Sequence, residues 1–172
     1  TSAFYLFFIT LRDFLNKNFV NLAQNTAHFG FSLLILSILF NNIFSKEVIT
    51  NLKVGETYQS KNFKIYFEDI ETKNQQNYKA IIGKFKIQNV DGNNEILKPE
   101  LRIYNQPIII TSEADIKTNL LTDKFMTMNS IQNQDYFNVR YQVKPFMLWI
   151  WISVFLITLG GLTSLIKKKY ED

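Results

Sequence analysis

The stretch FMLWIWISVFLITLGGLTSLI occupies residues 146–166 and decides the architecture of the chain, because it contains no charged side chain. A membrane-spanning helix needs roughly 20 predominantly apolar residues. The stretch therefore predicts a transmembrane helix, with Pro145 in its first turn, where the missing N–H is not needed. Trp149 and Trp151 lie near the start of this helix, and their amphipathic rings favour a membrane–water interface.

A second apolar stretch, residues 22–44, precedes the centre of the chain and also lacks formal charge. Its asparagine and glutamine residues lie near its two ends, at the depth of lipid headgroups, so we predict a second transmembrane helix. Residues 1–21 begin with a short apolar run and no methionine. We expect them to be the end of a preceding membrane helix and a cytoplasmic loop, in a fragment or subunit of a longer polypeptide.

Basic residues flank the two predicted spans on their short sides. Arg12 and Lys17 precede the first span, and three lysines at positions 167–169 follow the second. Short basic flanks stay in the cytoplasm, whereas a long loop crosses largely regardless of its charge. We therefore expect residues 45–145 to form an extracytoplasmic domain and residues 167–172 a cytoplasmic tail.

The long segment between the spans has the alternating pattern of β-strands. In KNFKIYFED, Phe63, Ile65 and Phe67 alternate with polar residues, and Phe85 and Ile87 alternate in GKFKIQ. Period-two alternation indicates sheets with one buried and one wet face. Asp91-Gly92 predicts a turn, and LRIYNQPIII and YFNVRYQV predict further strands.

Together these patterns predict an α+β membrane protein. Two transmembrane helices flank a small extracytoplasmic all-β domain, either a sandwich or a barrel.

Composition narrows the possible functions. The net charge is +4, the basic residues are dispersed and the chain has no nucleic-acid-binding motif, so we predict no nucleic-acid partner. The absence of cysteine excludes disulfides and thiolate chemistry in this chain. Glu68, Asp69 and Glu71 form the densest acidic group, which we interpret as a solvated strand edge rather than a calcium site. We predict no catalytic residues.

The one histidine, His28, lies inside the first predicted span. Two interpretations fit it: an axial ligand to haem iron, or a histidine at the membrane edge that hydrogen-bonds headgroups or a neighbour. Gln24 and Ser32 lie one helical turn to either side, where either side chain could fix the tautomer of the ring.

Small residues predict how the two spans pack. Gly160 and Ser164, with Gly161 beside them, form a small-xxx-small face on the second span. Gly30 and Ser37 offer small surfaces on the first span for a neighbouring helix.

Four blocks of the chain resemble the carboxyl-terminal region of CcmF, the haem lyase subunit of cytochrome c maturation system I. The blocks are NTAHFGFSLLILSI (residues 25–38), VGETYQSKNFKIYFEDI (54–70), LKPELRIYNQPIIITSEADI (97–116) and VRYQVKPFMLWIWISVFLITLGGLTSLI (139–166). The Lys-Pro-Phe-x-x-Trp-Ile-Trp pattern in the last block is the most specific. The haem lyase subunit of the nitrite reductase maturation pathway shares these features.

The resemblance implies that His28 is one of two intramembrane ligands of a haem b, and thus both the metal-binding and the cofactor-binding residue. The second ligand would come from a segment absent from this chain, so the chain would not be catalytic alone. It would belong to the lyase that attaches haem to apocytochrome c.

The resemblance also implies a setting and a set of partners. The setting would be a bacterial or mitochondrial inner membrane, with the β domain on the periplasmic or intermembrane-space side. The partners would be the rest of the lyase, a haem chaperone, apocytochrome c with its thiol-reducing partner, and membrane lipid.

The alternative hypothesis is a two-span membrane scaffold or channel-like subunit with an external β-rich binding domain. In that case His28 would lie at a helix contact and bind no haem.

Overall fold

The structure is a computed structural model that describes residues 2–15, 22–89, 92, 94–131 and 135–171, with the side chains of the last helix described to residue 166. The chain divides into a helical unit and a β unit, and residues Asn119–Asp123 group with the helices. The predicted class is confirmed: apolar helices flank a β-sandwich.

The described part of the chain contains three helices and ten strands. The helices are α1 (Ser2–Leu15), α2 (Leu22–Phe44) and α3 (Met147–Glu171). The strands are β1 (Lys46–Leu52), β2 (Thr57–Gln59), β3 (Phe63–Asn74), β4 (Tyr78–Asn89), β5 (Asn94–Leu97), β6 (Glu100–Tyr104), β7 (Ile110–Glu113), β8 (Asp115–Thr118), β9 (Thr122–Ser130) and β10 (Phe137–Pro145). Residues Leu22–Phe44 and Met147–Ile166 are long and apolar enough to cross a membrane.

In the helical unit, α1 packs against α2 through a buried polar contact. The hydroxyls of Thr10 and Ser32 lie 2.6 Å apart, and each is at least nine-tenths buried. Asn25 Nδ2 donates to the backbone oxygen of Asp13 at 2.9 Å. In an apolar setting a hydroxyl needs a partner, because leaving it unpaired is costly. This pair is therefore a polar contact between the two helices, and each hydroxyl also lies within hydrogen-bond distance of a backbone oxygen of its own helix.

The entry to α3 is a sharp corner rather than a proline-started turn. Pro145 is the last residue of β10, so its predicted place in the first helical turn is wrong. Phe146 follows with a φ of 61°, a left-handed conformation that is rare for a bulky residue. The Phe146 N–H donates to Leu121 O at 2.8 Å, and its ring lies 5.1 Å from that of Phe40. These contacts hold the strained residue in place.

The β unit is a two-sheet sandwich. One sheet has the order β1-β10-β9-β8, and the other has the order β2-β3-β4-β6-β7 with β5 also pairing with β4. Strands β1 and β10 are antiparallel along the whole of β1, from Lys46 opposite Val143 to Leu52 opposite Phe137. The strands that enter and leave the sandwich are therefore neighbours.

The sandwich core is built from the alternating residues that the sequence indicates. Phe67 and Phe85 are fully buried, and their rings stack with centroids 4.2 Å apart. Across the sheets, Phe63 meets Tyr141 edge to face at 5.1 Å. The predicted inward faces of β3 and β4 are confirmed.

Other strand predictions need adjustment. LRIYNQPIII forms two strands, β6 and β7, because a turn over residues 105–109 separates them. Asp91 of the predicted turn lies outside the described residues, but Gly92 has a φ of 78° and its N–H donates to Asn89 O at 3.0 Å. A positive φ is the conformation for which glycine is suited.

Candidate functional site

His28 projects from the surface of α2 and is exposed in the helical unit. Its two candidate hydrogen-bond partners differ in position. Ser32 is only 1% exposed and its hydroxyl contacts Thr10 on α1, so it is engaged away from His28. Gln24 is exposed and lines the same groove as His28. Of the two, only Gln24 is placed beside the imidazole.

An open groove of about 380 Å³ lies beside His28, between α2 and α3 of the helical unit. Its lining consists of small or polar residues: Ala23, Gln24, Ala27, His28, Gly160, Gly161 and Ser164. Most of the lining side chains are short, and those of His28 and Gln24 are the two large ones. The groove brings together the predicted small face of α3 and the histidine of α2.

Gly160 brings the two helix backbones into close contact. A Cβ atom on Gly160 would lie 2.7 Å from both Ala23 O and Ala27 N. Such distances are too short for real Cβ atoms, so only glycine permits this approach. The prediction that Gly160 is part of a helix-packing face is confirmed. Sequence reasoning missed its counterpart on α2, although Ala23 and Ala27 are four residues apart and share a face.

Gly161 plays a different role from its neighbour. A Cβ atom there would meet nothing within 4 Å, so Gly161 borders open space. Farther along α2, Gly30 lies against α3, where a Cβ atom would lie 3.0 Å from Ile157 and Leu156 atoms. Ser37 is buried, as expected for a residue at a helix contact. Gly30 and Gly160 set the helix separation, and Gly161 leaves the groove open.

The chemistry available at this groove is that of a single imidazole. Within the described residues no group of three or more His, Cys, Asp or Glu side chains is placed to hold a metal ion. A neutral imidazole has one free nitrogen lone pair, which suits one axial position of a metal that receives its other ligands elsewhere. His28 could therefore supply one ligand to a metal whose other ligands belong to a prosthetic group.

The acidic group on β3 has an ordinary structural role. Glu68 Oε2 lies 2.8 Å from Lys84 Nζ, and a register shift between Phe67 and Asp69 marks a bulge here. The hydrogen bond that Lys84 donates to Glu68, followed by the charge of Glu68, raises the pKa of Lys84 above the ordinary value. This region is therefore an ion-paired surface.

The order of the elements defines a class: a β-sandwich that is preceded and followed in the chain by apolar helices long enough to cross a membrane. The family model described as "CcmF C-terminal beta-sandwich" matches residues 43–145. The chain belongs to this CcmF family.

Curated relatives support the same assignment. The chain is 31% identical over 147 residues to the cytochrome c-type biogenesis protein CcmF of Haemophilus influenzae, a match that covers 84% of this chain and 22% of the relative. It is 27% identical to CcmF of Escherichia coli, with the same coverage. A probable cytochrome c-type biogenesis protein NrfE of Escherichia coli is 27% identical over 167 residues and is covered to 30%. The chain therefore spans about a fifth of the length of its CcmF relatives.

The solved structure of a cytochrome c heme lyase, CcmF, has the same fold as this chain. The TM-score is 0.63 at 21% identity, over 81% of this chain and 23% of that one. The family resemblance predicted from the four sequence blocks is confirmed. The family model begins at residue 43, so it does not include His28.

Proposed function

We propose that this chain is the carboxyl-terminal membrane part of a cytochrome c haem lyase and that His28 supplies one axial ligand to a haem b. The family and the names of its relatives support the first part. The observation that carries the second part is the exposed imidazole of His28 beside a groove that Gly161 leaves open.

The residues of the groove suit a porphyrin that approaches from outside the helix pair. Ala27 and Gly161 keep the lining low beside the imidazole, so a flat ring could come near α2 without a steric clash. Gln24 is the side chain that can orient the imidazole, because a hydrogen bond to one ring nitrogen leaves the other free for iron. Haem bound there would supply one-electron redox chemistry. The second axial ligand would come from another segment of the complete lyase.

The proposal includes a membrane topology. Helices α2 and α3 would cross an inner membrane, bacterial or mitochondrial, with Arg12, Lys17 and the three lysines at 167–169 on the cytoplasmic or matrix side. The sandwich would face the periplasm or the intermembrane space. Placing a histidine inside a membrane costs free energy unless the imidazole has a partner. Haem iron would be that partner for His28.

The partners follow from this role. The remaining part of the lyase would complete the haem site, and the sandwich would face a haem chaperone and an apocytochrome c that its thiol-reducing partner keeps reduced. This chain has no cysteine, so it would not itself exchange disulfides with the substrate thiols.

A visible spectrum of the purified complete lyase tests the haem assignment. We expect His28→Ala to lower the b-type Soret and α bands per mole of protein, and added imidazole to restore part of the loss. Ser164→Ala is the matched control, since it removes another polar side chain that lines the groove and leaves both His28 and Gln24 in place. Bands of unchanged position and intensity in His28→Ala would exclude the ligand role and favour the scaffold hypothesis.

A further inference from the structure

The outer face of the six-stranded sheet carries a polar groove that the haem proposal does not use. It consists of two adjoining hollows of about 280 and 330 Å³, which share Lys64 and Gln88 as lining residues. The first hollow is lined by Gln59, Ser60, Lys61, Phe63, Lys64, Gln88, Asn89 and Gly92, and the second by Thr57, Lys64, Tyr66, Lys86 and Gln88. We call this surface the lysine groove. Among the residues that the structure describes, its lining contains three lysines and no carboxylate.

Two lysines of this groove, Lys64 and Lys86, differ from the nearby Lys84 in that they have no ion-pair partner among the described residues. Lys84 is paired with Glu68, but within the described residues Lys64 and Lys86 have no carboxylate within 4.0 Å. Strand register keeps the two close, because Lys64 is opposite Gln88 and Tyr66 is opposite Lys86. Two uncompensated positive charges thus lie diagonally across β3 and β4, on the face away from the core.

The other lining groups complement these charges. Thr57 and Tyr66 carry hydroxyls, and Gln59 and Gln88 carry amides, so the space between the ammonium groups is filled with hydrogen-bond donors. Such a surface repels cations. Charge complementarity therefore selects an anionic ligand.

The exposure of the groove indicates the size of that ligand. Lys64 is exposed and Lys86 is half-buried, and an exposed ion pair contributes little by itself in salt. A single small anion would be held weakly, whereas a chain of carboxylates can meet several lysines at once. A nucleic acid would need stacking platforms, and Tyr66 is the one half-exposed ring that lines the second hollow.

We propose that the lysine groove binds an extended acidic segment of a partner polypeptide, whose carboxylates pair with Lys64 and Lys86 while its backbone accepts hydrogen bonds from the hydroxyl and amide groups between them. This inference concerns the sandwich alone and does not depend on haem binding at His28.

The test measures binding of fluorescein-labelled hexaglutamate to the full chain in neutral detergent micelles by fluorescence anisotropy. We expect binding at low ionic strength, weakened about tenfold by Lys64→Gln/Lys86→Gln. The matched control is Lys73→Gln/Lys79→Gln, which removes two exposed lysines from the same two strands outside the groove, and it should change the Kd less than twofold. Lys64→Arg/Lys86→Arg should retain binding, because it keeps both charges.

Three outcomes would overturn the proposal. One is the absence of measurable hexaglutamate binding at low ionic strength. Another is equal weakening by the two double variants, which would show that only net charge matters. The third is tighter, groove-dependent binding of a six-nucleotide thymidylate, which would assign the surface to nucleic acid. None of these outcomes changes the haem spectrum, so the two proposals fail separately.

Discussion

Gly160→Ala is the perturbation that most directly tests how the helical unit is held together. The added methyl carbon would lie 2.7 Å from the backbone oxygen of Ala23 and the backbone nitrogen of Ala27, against the 3.4 Å at which ordinary contact begins. Backbone atoms cannot turn aside as a side chain can. The helices must therefore separate by the difference, about 0.7 Å, along much of their contact.

The expected cost follows from two opposing effects. Overpacking of a well-packed contact costs about 1–3 kcal/mol. Replacing glycine by alanine inside a helix returns about 0.5–1 kcal/mol through backbone entropy. Gly161→Ala gains the second effect without the first, because its new methyl group meets nothing within 4 Å. The difference between the two variants isolates the steric cost at about 1–3 kcal/mol.

The assay is unfolding of the full chain in mixed micelles by increasing sodium dodecyl sulfate, followed by tryptophan fluorescence. Both tryptophans, Trp149 and Trp151, lie in α3, so the signal reports on that helix. Gly160→Ala should unfold at a lower detergent fraction than Gly161→Ala, and the latter should match or exceed the unmodified chain. Equal midpoints for the two variants would refute the close-contact reasoning.

Three further predictions concern the core, a buried hydroxyl pair and alkaline pH. Phe67→Ala should lower the free energy of unfolding by about 3–5 kcal/mol in a denaturant titration, because its ring is fully buried. Tyr66→Ala, on the solvent-facing side of the same strand, should lower it far less. Similar losses for the two variants would contradict the assigned faces. A double-mutant cycle with Thr10→Val and Ser32→Ala should show a coupling of about 0.6 kcal/mol, and additive effects would mean that the contact contributes nothing. Burial, and secondarily the charge of Glu95, raises the pKa of Tyr141 above its ordinary 10.0, so the unfolded state loses this proton at a lower pH than the folded state. The free energy of unfolding should therefore fall by up to about 1.4 kcal/mol per pH unit above pH 10. Tyr141→Phe should remove that part of the slope, and an identical pH profile for the variant would contradict this assignment.

The sequence predicts the parts of the fold in which one periodic pattern dominates. Strands β3 and β4 are visible because Phe63, Ile65 and Phe67 all enter the core with a period of two. Strand β9 is missed because its buried positions are Met126 and Met128, and methionine carries little strand preference. A strand whose buried positions are two flexible side chains gives almost no local signal.

The corner at Phe146 could not be predicted because its cause is not local. No neighbouring residue type favours a positive φ in phenylalanine, and the conformation depends on a hydrogen bond to Leu121, which is far away in the sequence. The sequence therefore indicates that a strand is followed by a helix without indicating how the chain turns between them.

The sequence identifies the candidate residue of the site, but it does not identify the neighbouring residues on the other helices. His28 is conspicuous as an ionisable group in an apolar run, and hydropathy locates its depth. Hydropathy does not tell which neighbour it faces, because that depends on how α2 is rotated against α1 and α3. The engagement of Ser32 with Thr10 and the openness beside Gly161 are both consequences of that rotation.

The ladder between β1 and β10 brings the two ends of the sandwich together. Lys46, the first residue of β1, lies opposite Val143 of β10, so the two ends of the sandwich are neighbours in the same sheet. Such ends can be joined by a short flexible linker, and new termini can then be opened in an exposed hairpin. A circularly permuted sandwich without the helices can thus be built, and it would test whether the segment Asn119–Asp123, which groups with the helices, is needed for the sandwich to fold.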